Sequence, residues 1–290
     1  LAQLHQQEEY LKEKLKIKVK IVGIANSRKM LIDENGISPN HWNERLEKEG
    51  APANLNNFLD TLISKNLRNA IFTDVTASEN VAAVYPLLLK NNIAVVACNK
   101  IACSSEYSYY ESLKNFSREH NTPLLFETNV GAGLPVIGTL NDLLRSGDRI
   151  RRIEAVLSGT LNFVFNNYNG KEKFADVVRL AKAEGYTEPD PRLDLAGTDV
   201  MRKIMILARE AGEVLNMADV SNDSFMPETA MQGSIDDFFR EMEIHEGHFK
   251  EIFNKANANN NKLKFVAVYE NGKASVGLKE IPADHDFYHL

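Results

Sequence analysis

An α/β fold, with a doubly wound parallel sheet leading into a mixed α+β half, is what this sequence predicts, and three observations predict it. Short apolar strand patterns alternate with amphipathic helical patterns from Val19 to about residue 132. The texture changes after Gly133, where helical patterns predominate. Near the end, two alternating runs flank Asn271-Gly272, a strong hairpin signal.

The elements follow in order. Leu1, Leu4, Leu11 and Leu15 space out an amphipathic helix. Val19 to Ala25 is apolar on both faces, as a strand inside a parallel sheet would be. Further strands are expected at Ala70 to Val75, Ile93 to Ala97 and Leu124 to Glu127, with helices at Leu55 to Lys65, Glu79 to Lys90 and Glu106 to His120. In the second half, a helix over Leu134 to Leu144 leads to a strand at Ile153 to Leu157. Helices are then expected near Leu161, at Phe174 to Glu184 and at Asp199 to Gly212, and a charged helical stretch at Ile235 to Ala256. The hairpin pairs Phe265 to Tyr269 with Ala274 to Leu278. No internal repeat or low-complexity segment interrupts this plan, so the natural division is residues 1–132 and 133–290.

A chain of 290 residues with 43% hydrophobic content can bury a sizeable core. No apolar run approaches the ~20 residues that span a bilayer, and the first ten residues do not form a secretory signal, so the expected compartment is the cytoplasm, without membrane association. A net charge of −6 with scattered Lys and Arg argues against nucleic acid as a partner. Two cysteines, Cys98 and Cys103, are too few for a disulfide scaffold, and neither has a neighbour that marks it as a nucleophile. No Cys, Asp or Glu motif of zinc-site type accompanies His245 with His248 or His285 with His289.

The most chemically suggestive stretch runs from Gly185 to Lys203. Pro189 and Pro191 keep Glu188 to Pro191 out of a helix, so Glu188 sits in a stiff loop. After Gly197, the residues Val200, Ile204 and Leu207 recur at helical spacing, and Asp199 and Lys203 share a face four residues apart. An ordinary surface ion pair worth at most ~0.5 kcal/mol has the same spacing. The company points further: Glu188 and Asp194 converge on the same helix entrance, and a lysine beside carboxylates can hold or relay a proton. Ligands of doubly wound sheets lie beyond the carboxyl ends of strands. There the sequence places Asn26-Ser27-Arg28-Lys29, Thr76-Ala77-Ser78, Asn99-Lys100 and Thr128 to Gly133. Arg28 and Lys29, where an NAD site would usually carry an acid, favour a 2′-phosphate and so NADP over NAD.

Asn99-Lys100, Glu127-Thr-Asn-Val-Gly-Ala-Gly-Leu-Pro135, Leu157-Ser-Gly-Thr160 and Gly185 through Lys203 together resemble homoserine dehydrogenase, and Ala25-Asn26-Ser27 is most similar to the form fused behind aspartokinase. The resemblance covers most of the chain, with its motifs in the family's order. It implies NAD(P)H-dependent reduction of aspartate 4-semialdehyde to homoserine, toward threonine and methionine, by an incomplete Rossmann-like domain followed by a substrate-binding and dimerisation domain. By the same resemblance Glu188 holds the substrate ammonium, with Asp194 and Ser158-Gly159-Thr160 nearby. Lys100 and Lys203 polarise the aldehyde oxygen and deliver a proton through Asp199 or water, and the cofactor lies against Asn26 to Lys29, Thr76, Ser78 and Lys100. A monovalent cation such as sodium is implied at the Glu127 carboxylate and the carbonyls of Val130, Ala132 and Leu134; such a donor set suits a hard cation. The implied partners are a second copy of the chain, as homodimer or higher oligomer, and an aspartokinase domain.

The chain departs from the family's pattern at both ends. No Gly-x-Gly-x-x-Gly precedes the opening helix, and the sequence stops at Leu290, ahead of the Gly-rich segment and closing helix of family members. A fragment is therefore expected, truncated at both ends, with weak or no cofactor binding, and so little or no activity, by this chain alone because the pyrophosphate anchor is missing. Two rivals stand beside this reading: another NADP-dependent amino-acid semialdehyde dehydrogenase of the same architecture, and a non-catalytic, self-associating fragment.

Overall fold

The computed structural model describes residues 1–290. The opening amphipathic pattern folds as two short helices, α1 (Ala2–Gln6) and α2 (Glu8–Glu13), that bury no residue. The continuous helix expected over residues 1–15 is thus broken. Of Val19 to Ala25 only β1 (Gly23–Ala25) is strand, and it pairs antiparallel with β2 (Lys29–Ile32), which in turn pairs with β3 (Ala51–Pro52) after helix α3 (Trp42–Glu49). The reason is local: Asn26 Oδ1 accepts both the Arg28 and Lys29 amides at 2.8 Å and turns the chain back on itself.

The parallel sheet contains β4 (Ile71–Asp74), β5 (Ala94–Ala97) and β6 (Leu124–Leu125), in that spatial order. Helix α4 (Leu55–Ser64) precedes it, started by Asn54, whose side chain accepts the Asn57 amide. The helical pattern over Glu79 to Lys90 divides into α5 (Glu79–Ala82) and α6 (Tyr85–Lys90) because Pro86 lacks a donor and starts a new first turn. After β5 come the one-turn α7 (Ile101–Ser104) and α8 (Tyr107–Glu119). β6 is shorter than Leu124 to Glu127, since Glu127 already begins α9 (Thr128–Gly131), which leads into α10 (Val136–Arg145).

The second sheet has the order β7-β9-β10-β8, formed by β7 (Arg152–Ala155), β8 (Val220–Asp223), β9 (Lys262–Glu270) and β10 (Lys273–Ile281). β9 and β10 form the expected hairpin, with Asn271 and Gly272 both at positive φ. β8 is a strand the sequence pattern did not show, since Ser221, Asn222 and Asp223 are polar and exposed; it pairs parallel with β10 at the sheet's edge. Against this sheet pack α11 (Gly159–Asn167) and α14 (Thr198–Glu210), with α12 (Phe174–Ala183) on α11 and α13 (Arg192–Leu195) against α11 and α14. The charged region over Ile235 to Ala256 is two helices, α15 (Ile235–Ile244) and α16 (Glu246–Ala258), meeting at His245.

One continuous apolar core runs from Leu59 to Val276 and joins the two sheets. Helix α14 lies at its centre, burying Val200, Ile204 and Leu207 while touching α7, α9 and α10 on one side and β9 and β10 on the other. That placement lets one helix present charges to both halves. No helix is long and apolar enough to cross a membrane.

Candidate active site

Gly197 sets the geometry of the site. It adopts φ 72° at the start of α14, and a Cβ there would lie 2.7 Å from Phe265 Cζ of β9, so only glycine lets the chain turn this close to the sheet. The turn aims Asp199 and Lys203 out of the helix's first two turns. Lys203 Nζ donates to Asp199 Oδ2 at 2.7 Å and to the Leu157 carbonyl at 2.8 Å, and its side chain is only 15% exposed. From the end of β5, Lys100 brings its Nζ to 3.4 Å from Asp199 Oδ1. One carboxylate thus holds two lysines, one from each half of the molecule.

Burial pushes the Asp199 carboxyl up, but the hydrogen bond and charge of Lys203, with help from Lys100, outweigh it and hold the group below the usual carboxylate range. Asp199 is therefore ionised at neutral pH. The Leu157 carbonyl bound by Lys203 directly precedes Ser158-Gly159-Thr160, where the Ser158 hydroxyl accepts the Leu161 amide and starts α11. The Thr160 hydroxyl lies 2.5 Å from the Tyr186 carbonyl and 3.1 Å from Asp194 Oδ1. Asp194 Oδ2 accepts the Glu188 amide at 2.8 Å, which leaves the Glu188 carboxylate exposed in its proline-stiffened loop. Lys100, Asp199 and Lys203 form one linked group and Thr160, Asp194 and Glu188 another, and the backbone from Leu157 to Thr160 joins them. Asp194 lies on α13 rather than at the mouth of α14, one short helix earlier than the spacing suggested.

The strand ends of the parallel sheet meet in a buried network that sequence reasoning missed. Asp74, 1% exposed, accepts the Tyr85 hydroxyl at 2.6 Å, the Asn99 amide group at 3.0 Å and the Thr76 backbone amide at 2.8 Å. Asn99 also donates to the Ser78 carbonyl and accepts the Ile101 amide. Asp74 thus ties the Thr76–Ser78 loop to the segment carrying Lys100. The one available signal was an acid ending an apolar strand just before Thr76.

Two expected clusters stand apart from the lysines. Asn26, Ser27, Arg28 and Lys29 occupy the β1–β2 turn in a separate sheet. Lys29 is held there by Glu47, whose carboxylate lies 2.9 Å from its Nζ, while Arg28 stays exposed. Glu127 points both carboxylate oxygens at the start of α10, accepting the Ile137 and Gly138 amides at 2.7 Å each. Beside it Ala132 sits at φ 51°, unusual for a residue with a Cβ, and Leu134 is exposed. Two further lone-pair sites remain on that carboxylate, so one acid with the carbonyls of Val130, Ala132 and Leu134 is chemically compatible with a hard cation.

A model of the homoserine dehydrogenase family matches residues 135–290, and a model of the homoserine dehydrogenase NAD-binding domain matches residues 1–127. The chain belongs to the homoserine dehydrogenase family. The bifunctional aspartokinase/homoserine dehydrogenase 1 of Zea mays chloroplasts is 40% identical over 294 residues, covering 100% of this chain and 32% of the relative. The homoserine dehydrogenase of Schizosaccharomyces pombe is 35% identical over 267 residues, 89% of this chain and 71% of that enzyme. The chain spans about a third of the bifunctional homoserine dehydrogenases it matches. A Candida auris protein of unknown function superposes with a TM-score of 0.88 at 30% identity, covering 98% of this chain and 82% of that one. A hyperthermophilic archaeal homoserine dehydrogenase in complex with NADPH shares the fold at a TM-score of 0.68 and 22% identity, covering 97% of this chain and 79% of that one.

Proposed function

We propose that this chain is the catalytic part of a homoserine dehydrogenase, interconverting aspartate 4-semialdehyde and homoserine with a nicotinamide cofactor. The observation that carries the proposal is the pair of lysines on Asp199, joined through the Leu157–Thr160 segment to Asp194 and Glu188. Carbonyl reduction needs a cation and a proton at the oxygen that becomes an alkoxide, and an amino-acid substrate needs an anion for its ammonium. Lys203 and Lys100 supply the first, and Glu188 with Asp194 the second. Ser158, Gly159 and Thr160 shape the floor between them.

A nicotinamide cofactor supplies the hydride when bound. Thr76, Ser78 and Lys100 stand at the carboxyl ends of β4 and β5, where ligands of such sheets bind. Among the residues of the β1–β2 turn, Arg28 is the one left to meet a 2′-phosphate, which supports NADP over NAD. A monovalent cation would be held by Glu127 and the carbonyls of Val130, Ala132 and Leu134, where its charge would steady the turn between β6 and α10. Residues 1–132 would bind cofactor and residues 133–290 substrate, with self-association as a homodimer through the second sheet, whose edge strand β8 is open. The place of the reaction is threonine and methionine synthesis in the cytoplasm, in a protein that also carries an aspartokinase domain.

The test follows NADPH absorbance in both directions, with homoserine and NADP or with aspartate 4-semialdehyde and NADPH. With the full-length protein, turnover with these and not with other amino-acid semialdehydes is expected. Demonstrable cofactor binding without any turnover of homoserine would overturn the proposal in favour of a non-catalytic role.

A further inference from the structure

Helix α14 carries a second charged pair that the chemistry above does not use. Arg209 and Glu210, adjacent near its end, are 3% and 7% exposed. They turn to different elements. Glu210 accepts from the Tyr110 hydroxyl, from Lys114 Nζ at 2.9 Å and from Asn141 Nδ2 at 2.9 Å, tying α14 to α8 and α10. Arg209 spends its guanidinium on backbone: Nε donates to the Leu215 carbonyl at 2.9 Å, one terminal nitrogen to the Cys103 carbonyl at 2.8 Å, and the other to the Ser105 carbonyl at 2.7 Å. It also lies over the rings of Tyr107 and Tyr110.

Cys103 and Ser105 mark the end of α7, the single turn whose N-cap is Lys100. The closing carbonyls of a helix have no partner within it, and one turn is too short to hold its own position. At the other end the contact between Lys100 and Asp199 is half exposed, and such pairs hold little by themselves. The firm attachment of α7 to α14 is therefore the buried one. We propose that Arg209 is a positioning residue: by gripping the carbonyls at the end of α7 it fixes that turn against α14 and keeps Lys100 in contact with Asp199, about 15 Å away along the helix.

The proposal rests on the catalytic reading of Lys100, but the positioning itself can be measured without turnover. The purified protein is treated with limiting acetic anhydride, and acetylation of Lys100 is followed by mass spectrometry in the unaltered chain, Asp199→Asn and Arg209→Lys. Asp199→Asn should speed labelling by about threefold or more, and Arg209→Lys should come within about twofold of it, with the exposed Lys255 unchanged as an internal standard. Labelling at the unaltered rate in Arg209→Lys overturns the proposal, and so does a lack of response in Asp199→Asn. If Arg209→Lys does not fold, Asn216→Ala loosens the same guanidinium, whose nitrogen lies 3.4 Å from Asn216 Oδ1, and is judged by the same criteria.

Turnover gives the second readout. Arg209→Lys should lower kcat by about tenfold in the unaltered background and by less than about twofold in Lys100→Met. Equal losses in both backgrounds would mean that Arg209 acts by another route. An unaltered protein inactive on homoserine defeats the catalytic reading alone, because the labelling result still decides the positioning.

Discussion

Replacing Lys203 by Ala separates chemistry from folding more cleanly than any other change at this site. Its ammonium group makes two contacts, 2.7 Å to Asp199 and 2.8 Å to the Leu157 carbonyl. The ion pair includes a carboxylate that is 44% exposed, so its loss costs ~0–1 kcal/mol. The lost hydrogen bond to the carbonyl adds about 1 kcal/mol. A total of about 1–2 kcal/mol is small beside the ~5–15 kcal/mol of an ordinary domain, and the variant should stay folded. A missing general acid costs ~10²- to 10⁴-fold, or about 2.7–5.4 kcal/mol in the barrier. Steady-state rates at saturating substrate should therefore show kcat lowered by that factor, with KM for the semialdehyde changed less than about threefold, since Glu188 and Asp194 are untouched. Lys203→Arg should not restore the rate, because guanidinium does not release a proton near neutrality. A kcat for Lys203→Ala within about threefold of the unaltered enzyme would refute the proton role. Recovery by arginine would reduce Lys203 to a charge stabiliser.

Three further outcomes follow from the same geometry. Asp199 has a depressed pKa in the folded protein, so the stability it contributes is complete above the ordinary carboxylate value and fades as pH falls through the folded one; urea unfolding of the unaltered chain and Asp199→Asn should differ at pH 7 and converge below about pH 4. Glu127→Gln leaves one oxygen for two α10 amides and turns an NH₂ group toward a donor, so it should lower stability by about 1–2 kcal/mol, visible as a drop in Tm. Gly197→Ala forces a Cβ to within 2.7 Å of Phe265 at a positive φ, and should cost about 1–3 kcal/mol while lowering kcat through misplacement of Asp199 and Lys203; an unchanged Tm would contradict the close approach.

What could be read from the sequence was whatever depends on local spacing. The i, i+4 relation of Asp199 and Lys203, the absence of helix over Glu188 to Pro191 and the Asn271-Gly272 hairpin are properties of neighbouring residues, and each is present in the fold. Long-range contacts left no such trace. Nothing in the spacing of Asp74 announces that Tyr85 and Asn99 close over it, and nothing in the spacing of Arg209 and Glu210 announces that both are buried. The N-terminal region shows the reverse error. Apolar character on both faces of Val19 to Ala25 promised a strand inside a parallel sheet, yet strand pairing depends on which neighbour is present, and here the Asn26 turn supplies β2.

Two lysines on one carboxylate make sense only if they do different work. Lys203 is tethered twice and largely covered, so its position is fixed by α14 and the Leu157 carbonyl whatever the first half of the molecule does. Lys100 is more exposed, reaches Asp199 at the longer distance of 3.4 Å, and belongs to a short turn on the other half. On the proposed mechanism a proton donor must be held within hydrogen-bond reach of the reacting oxygen, and the tethered lysine is the better suited of the two. Lys100 comes from the half proposed to bear the cofactor, and its contact with Asp199 depends on how Arg209 seats α7 against α14. On this argument Lys100→Met should lower turnover less than Lys203→Ala and raise the KM for the cofactor, whereas an equal loss confined to kcat would mean that the two lysines are interchangeable.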